Sequence, residues 1–446
     1  MSRSLLVCYF FFQLLCLHNI FFEVYSQPKS DALAWIELDM VSLSEGPWSS
    51  GQTKDYFDQA LLGKQIIALG EQNHGDGSTF TQFSRLVKLL HEQYGFEAIV
   101  FESGFYDCHK AWQQIKAGRD PLQAFEKSVF SIWSQSQQAA PLFDYIAHKA
   151  HTPTPLLLSG FDSQFTGSYG REEFIGELDS LLKIIDASYA LTKEYQAFRD
   201  MAQKIAHYKL PYTNPSVEEQ DLFHRELAHL VSLVESSSLT EKAFYVQLMH
   251  NLALHAQSLW SMEKLYKGEL ATRELLNLRD VQMAKNVIWL LEGPLQGKKI
   301  ILWGNISHLL KNSSSLVAKS GRDLFKGATT MGDYLYERYG EKMYVIASLS
   351  YEGQTGHVKM DPKQKVPAAP EGSLNALLHQ TGKKLAFLDL NKIAPQKRWL
   401  TKPMLARLDH TILFEADWTK VFDGIFYIDQ MQPSWGKQER SREKKN

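Results

Sequence analysis

A chain of 446 residues, with 44% hydrophobic and 22% charged residues, can bury a large core and has the balance of an ordinary globular protein, not of a disordered or fibrous one. A formal net charge of -2 provides no general attraction for nucleic acid or acidic membranes, so neither is expected as a partner. Of the three cysteines, Cys8 and Cys16 lie in an N-terminal leader and leave with it; Cys108 alone can form neither an internal disulfide nor a cysteine zinc site.

The leader is read from Arg3, an apolar run over 5–17, and the small residues of Val24-Tyr25-Ser26. Together they predict a secretory signal peptide over 1–26, and hence an exported protein, periplasmic or secreted, with one domain over 27–446. No later segment is long and apolar enough to span a bilayer, so no stable membrane insertion is expected once the signal is removed. Short apolar runs then predict strands at 65–69, 98–101, 155–159, 299–303, 344–348 and 424–428. Their near-continuous apolarity suits strands covered on both faces, so the fold class is α/β with a mainly parallel sheet flanked by helices. Phe83, Leu86, Val87, Leu90 and His91 follow helical spacing and Gly95 ends the helix, which makes the first two strands a βαβ unit. From 171 to 292 the pattern is helical throughout, broken only near Pro211 and Pro215, and reads as a helical insertion between the third and fourth core strands.

Polar residues follow these strands closely. The first strand runs into Gly70-Glu71-Gln72-Asn73-His74-Gly75 and the second into Glu102-Ser103-Gly104. The third runs into Gly160-Phe161-Asp162 and the fourth into Gly304-Asn305-Ile306-Ser307-His308. Parallel strands would bring these four tails to one edge, where α/β sheets bind ligands. Taken singly, each has a plain structural use: Glu71 or Glu102 as a turn charge, Asp162 as a helix cap, His308 as a core histidine. Their coincidence predicts a site. His74 titrates near neutral pH and can take a proton from water, with Glu71 or Glu102 holding its ring. Asn305, Ser307 and His308 are candidate donors to an oxyanion, and Arg85 a candidate positive charge.

Other hydrolytic designs are missing from the sequence. There is no G-x-S-x-G elbow, His91-Glu92 lacks the second histidine of H-E-x-x-H, and Gly75-Asp76-Gly77 lacks a P-loop ending. His250 and His255, five apart, do not share a helical face. Without an obvious nucleophile, direct attack by activated water is expected, with no cofactor. Two alternatives stay open: a metal-dependent hydrolase with Glu71, His74, Glu102 and His308 as ligands, and a protein that binds a small molecule without turning it over. Trp133, Trp260, Tyr169 and Phe165 could border an apolar cleft, although core packing is the usual employment of such residues.

The same fragments carry a resemblance. Leu69–Gly75, Gly95–Glu102, Gly160–Asp162, Arg279–Val287, Trp303–His308, Met331–Leu335 and Phe422–Gly424 resemble the erythromycin esterase family, in that family's order. The resemblance implies an α/β core with a helical insertion, and metal-independent hydrolysis of a macrolide lactone. It implies His74 as general base, with Glu71, Glu102 and His308 beside it; Asp162, Arg279, Asn305 and Arg85 are the candidates for contact with the substrate. The chain departs from the family pattern where Asn305 replaces a histidine, where Ser78 replaces a glutamate, and where Arg85 is out of register. The expected substrate is therefore stated as an ester or lactone, with macrolides among the candidates.

Overall fold

The structure is a computed structural model that describes residues 32–44, 46–207, 213–267, 272–319, 323–393 and 402–437. The signal peptide expected over 1–26 lies outside them. The strands in chain order are β1 (Val41–Ser42), β2 (Ile66–Glu71), β3 (Phe96–Gly104), β4 (Leu157–Asp162), β5 (Lys299–Asn305), β6 (Val317–Ala318), β7 (Met343–Thr355), β8 (Gln364–Val366), β9 (Leu385–Asp389), β10 (Met404–Arg407), β11 (Leu413–Ala416) and β12 (Gly424–Met431). The main sheet runs β1-β9-β12-β7-β2-β5-β3-β4, with β8 beside β7, and β10-β11-β6 form a small separate sheet. From β12 to β4 every neighbouring pair is parallel, while β1, β8 and β9 join antiparallel. The fold is thus α/β with a mainly parallel sheet.

The six parallel strands are the six that the apolar runs predict. Helices cover both faces of such a sheet, so each strand needs apolar residues throughout. In β2 all six residues, Glu71 included, are buried. Between β2 and β3 the helix Gly77–Tyr94 buries Phe80, Phe83, Leu86, Val87 and Leu90 on one face, and Gly95 closes it at φ 69°, a conformation that favours glycine. Phe83 meets Trp303 of β5 edge to face at 5.5 Å, so helix and sheet share aromatic packing.

Strand β4 leads into the helices Phe174–Ile185, Lys193–Ala206, Val217–Ser236, Lys242–Tyr266 and Thr272–Glu292 before the chain returns as β5. A buried amide network anchors the last two of these helices to the tail of β4. Asn286 donates to the Phe161 carbonyl at 3.0 Å and to Asn251 at 2.7 Å, and Asn251 donates to the Ser163 carbonyl at 2.9 Å. Gln247 and Gln282 both donate to Asn286 Oδ1. Carbonyls on either side of Asp162 are thereby satisfied, and the position of that residue is set by side chains far along the chain. No described helix is long and apolar enough to cross a membrane.

Candidate active site

The order β2-β5-β3-β4 puts the four polar strand tails next to one another along the carboxyl edge of the sheet. Between β3 and β4 the register shifts from Phe101 to Gly104, so Glu102 falls at an irregularity of the ladder. Such irregularities re-aim a side chain near an active site, and here Glu102 borders a cleft of about 280 Å³ together with His74, Asp162, Arg279, Asn305 and His308.

Glu71 is fully buried, yet both of its carboxylate oxygens have partners. His74 Nδ1 lies 2.5 Å from Oε1, while the indole N–H groups of Trp133 and Trp303 donate to Oε2 at 3.1 and 3.0 Å. The Trp133 ring also stands edge-on to the imidazole at 5.4 Å. This leaves Nε2 as the free nitrogen of His74, 4.0 Å from Glu102 Oε1, on a side chain that is 34% exposed. Burial pushes the Glu71 carboxyl upward, against the pull of His74 and the two indoles. Burial also disfavours a charged His74, but the hydrogen bond to Glu71 and the charges of Glu102 and Glu71 outweigh it, and the imidazole stays above its ordinary value. Both directions describe one proton held within the pair.

A second histidine is held in the same way. His308 Nδ1 lies 2.9 Å from Asp280 Oδ1, and Arg279 Nη1 lies 3.0 Å from its Nε2. A guanidinium can only donate, so this contact puts the ring proton on Nδ1. A second proton on Nε2 would face Glu102 Oε1 at 3.4 Å. For His308, too, burial works against the charge, and Asp280 with Glu102 outweighs it, so its proton affinity is raised.

Arg279 ties the group together. Its Nε and Nη2 donate to the two oxygens of Asp162 at 3.1 and 2.8 Å, and Nη2 also reaches Glu102 at 2.7 Å. Glu102 takes a further bond from the Asn305 amide N–H at 2.8 Å. Burial would raise the Glu102 carboxyl, but His308, Arg279, His74 and that N–H hold it down at about 2. It is a permanent anion inside the cluster.

The structure therefore brings together His74, Glu71, Glu102, His308, Asp162, Arg279 and Asn305. It corrects two expectations. Asp162 caps no helix: its carboxylate takes the Arg279 fork and the Gln164 N–H instead. Arg85 does not border the cleft: its guanidinium lies 4.0 Å over the Trp48 ring and donates to the Ser44 and Gly46 carbonyls, holding the N-terminal segment onto its helix. Asn305 enters mainly through its backbone, since its side-chain oxygen caps the helix Ile306–Leu309 through the Ser307 N–H. Sequence reasoning missed Asp280 and the two indole donors. Asp280 carried a signal, as the acid directly after Arg279; Trp133 reads in the sequence only as a possible border of an apolar cleft, and its bond to Glu71 exists only in the tertiary fold.

The metal-ligand alternative finds no support in the donor set. Both oxygens of Glu71 already take ring nitrogens, and the Arg279 guanidinium lies against Glu102. Among the described residues no group of three or more His, Cys, Asp or Glu is arranged to hold a metal ion.

Comparison with known proteins follows this geometry. The chain is 26% identical over 427 residues to YbfO of Bacillus subtilis (strain 168), a provisionally named hydrolase, covering 90% of this chain and 91% of that protein. It is 22% identical over 395 residues to the erythromycin esterase type II of Escherichia coli, covering 83% of this chain and 90% of that one. A solved structure of a mutant erythromycin esterase in its open conformation shares the fold, with a TM-score of 0.60 and 16% identity, covering 85% of this chain and 94% of that one. The family model for erythromycin esterase matches residues 91–431, most of the chain, and the protein belongs to this family of hydrolases.

Proposed function

We propose that the chain is a carboxylic ester hydrolase that cleaves an ester or lactone with water activated by His74. The observation that carries this reading is the clamp on His74. Its Nδ1 is committed to a buried carboxylate that two indoles hold in place, while Nε2 faces the cleft. A proton taken by Nε2 is stabilised through the ring by Glu71. The hydroxide oxygen bonds to the carbonyl carbon. When the tetrahedral intermediate collapses, the acyl C–O bond breaks and the proton on Nε2 passes to the leaving oxygen, giving acid and alcohol. Arg279 has five N–H groups, four of which are engaged in the contacts above; the remaining Nη1 hydrogen is the natural donor for the developing oxyanion. Macrolide lactones are a candidate substrate through the family, and export through the N-terminal leader accompanies this reading.

The test is acid release from a panel of esters and lactones by wild type and His74→Ala. Turnover that falls by about 10²-fold or more in the variant supports the reading. No turnover by wild type on any member of the panel, or equal turnover by both proteins, overturns it. The intact mass of the protein recovered outside the cytoplasm decides whether 1–26 has been removed.

A further inference from the structure

We infer that the substrate is an ester of a polyhydroxylated alcohol, such as an acylated sugar, and not a lipophilic ester; this rests on the ester-hydrolase reading of the same site. Small-molecule pockets are usually lined mainly by apolar side chains with a few polar groups that fix orientation. This cleft reverses that balance. Among the described residues ten line it, of which nine are polar or charged and Phe130 is apolar.

The charged residues are largely used up on one another, as described above. Three others are not. The Ser307 hydroxyl and the Gln164 side-chain amide have no hydrogen-bond partner among the described residues, and both residues border the cleft. Thr166 Oγ1 accepts from the Gly104 N–H at 2.8 Å, which leaves its own hydroxyl proton to donate. Two hydroxyls and a primary amide both donate and accept, which suits alcohol groups whose hydrogens can turn either way. Phe130 also borders the cleft, its ring 6.2 Å from Trp133 and edge to face with it. A flat ring in the same cleft as a set of two-way hydrogen-bonding groups suits a sugar ring, which has an apolar C–H face and a polar rim. A volume of about 280 Å³ also sits at or below the lower end of ordinary ligand pockets, which suits one sugar ring better than a large apolar macrocycle. An apolar alcohol placed there would displace water from these half-buried or exposed groups without replacing its hydrogen bonds, a cost that the hydroxylated substrate avoids.

The test compares methyl 6-O-acetyl-glucopyranoside with cyclohexylmethyl acetate, which share the reacting acetate and differ in the ring hydroxyls. Acetate release gives kcat/KM for each, and calorimetry gives the binding of methyl glucopyranoside and of cyclohexylmethanol. A preference of about tenfold or more for the sugar ester, reduced in Ser307→Ala and Gln164→Ala mainly through KM, supports the inference. Equal or better use of the cyclohexylmethyl ester overturns it and leaves the hydrolase reading standing. If neither ester is cleaved, binding of the glucoside without the cyclic alcohol supports a polyhydroxylated ligand for the cleft and sinks the hydrolase reading for these esters. Binding of neither, or of the alcohol alone, overturns the inference.

Discussion

At the residue scale the chemistry turns on which nitrogen of His74 is free and when it is unprotonated. In the proposed role of general base the ring must be neutral, and Glu71 and Glu102 raise its proton affinity above the ordinary imidazole value. The rate should therefore rise with pH through a pKa above about 6.5. Glu71→Gln removes one of the two charges responsible, so kcat should fall while the acid limb of kcat/KM moves to lower pH. A pH–rate profile of both proteins checks the direction, and a limb that stays in place or moves upward contradicts the assignment. Glu102 works with the opposite sign. Its carboxyl is depressed from 4.5 to about 2, so its stabilising contribution is complete above pH 4.5 and is lost as pH falls toward 2. Glu102→Gln leaves Arg279 with one carboxylate fewer and should lower Tm clearly at neutral pH, by an amount equivalent to about 3 kcal/mol. The gap between variant and wild type should close as the pH is lowered, which thermal melts at several pH values can follow. Arg85→Ala, by contrast, should leave kcat/KM unchanged and loosen the segment around Trp48, a difference visible in limited proteolysis.

Among the elements, the loop that carries His74 has the least room. A Cβ on Gly75 would come within 2.4–2.6 Å of three backbone atoms of Gly356, and the Gly75 carbonyl accepts N–H bonds from both Gly356 and Ser434. The loop is thus clasped between the end of β7 and the segment that follows β12. Gly75→Ala cannot be absorbed by moving a flexible side chain, so the His74 loop must shift. Expected are a loss of about 1–3 kcal/mol in stability and a larger proportional loss in kcat, read by denaturant unfolding and by rate. This scale also shows how far the sequence could be read. Continuous apolar runs mark β2, β3, β4, β5, β7 and β12, and the polar residues after them mark the site, because both follow from burial within a parallel sheet. Leu385–Asp389 is a run of the same kind that escaped notice, and no run states which neighbour it pairs with or in which direction. The roles of Trp133 and Asp162 were illegible for a related reason. An indole 62 positions from Glu71, or a guanidinium 117 positions from Asp162, becomes a partner only when the chain has folded.

For the whole molecule, the buried Asn286 amide is a hub of the network that joins the helical segment between β4 and β5 to the site edge, beside the contacts of Asn251, Arg279 and Asp280. Asn286→Ala would strand the Phe161 carbonyl and leave Asn251, Gln247 and Gln282 short of partners. At about 1–3 kcal/mol for each buried group left unsatisfied, the loss should exceed that of a typical core substitution, and chemical denaturation measures it. The strand order adds a consequence for synthesis. Strand β5 lies between β2 and β3, although it follows both by roughly two hundred residues. Until it emerges, β2 and β3 cannot occupy their final places, and each has an open ladder where β5 belongs. A nascent chain therefore spends the translation of the entire helical segment with its sheet unclosed, and a product cut short before Lys299 would expose both edges of β2, which also lacks β7, and the β5 side of β3 to other chains.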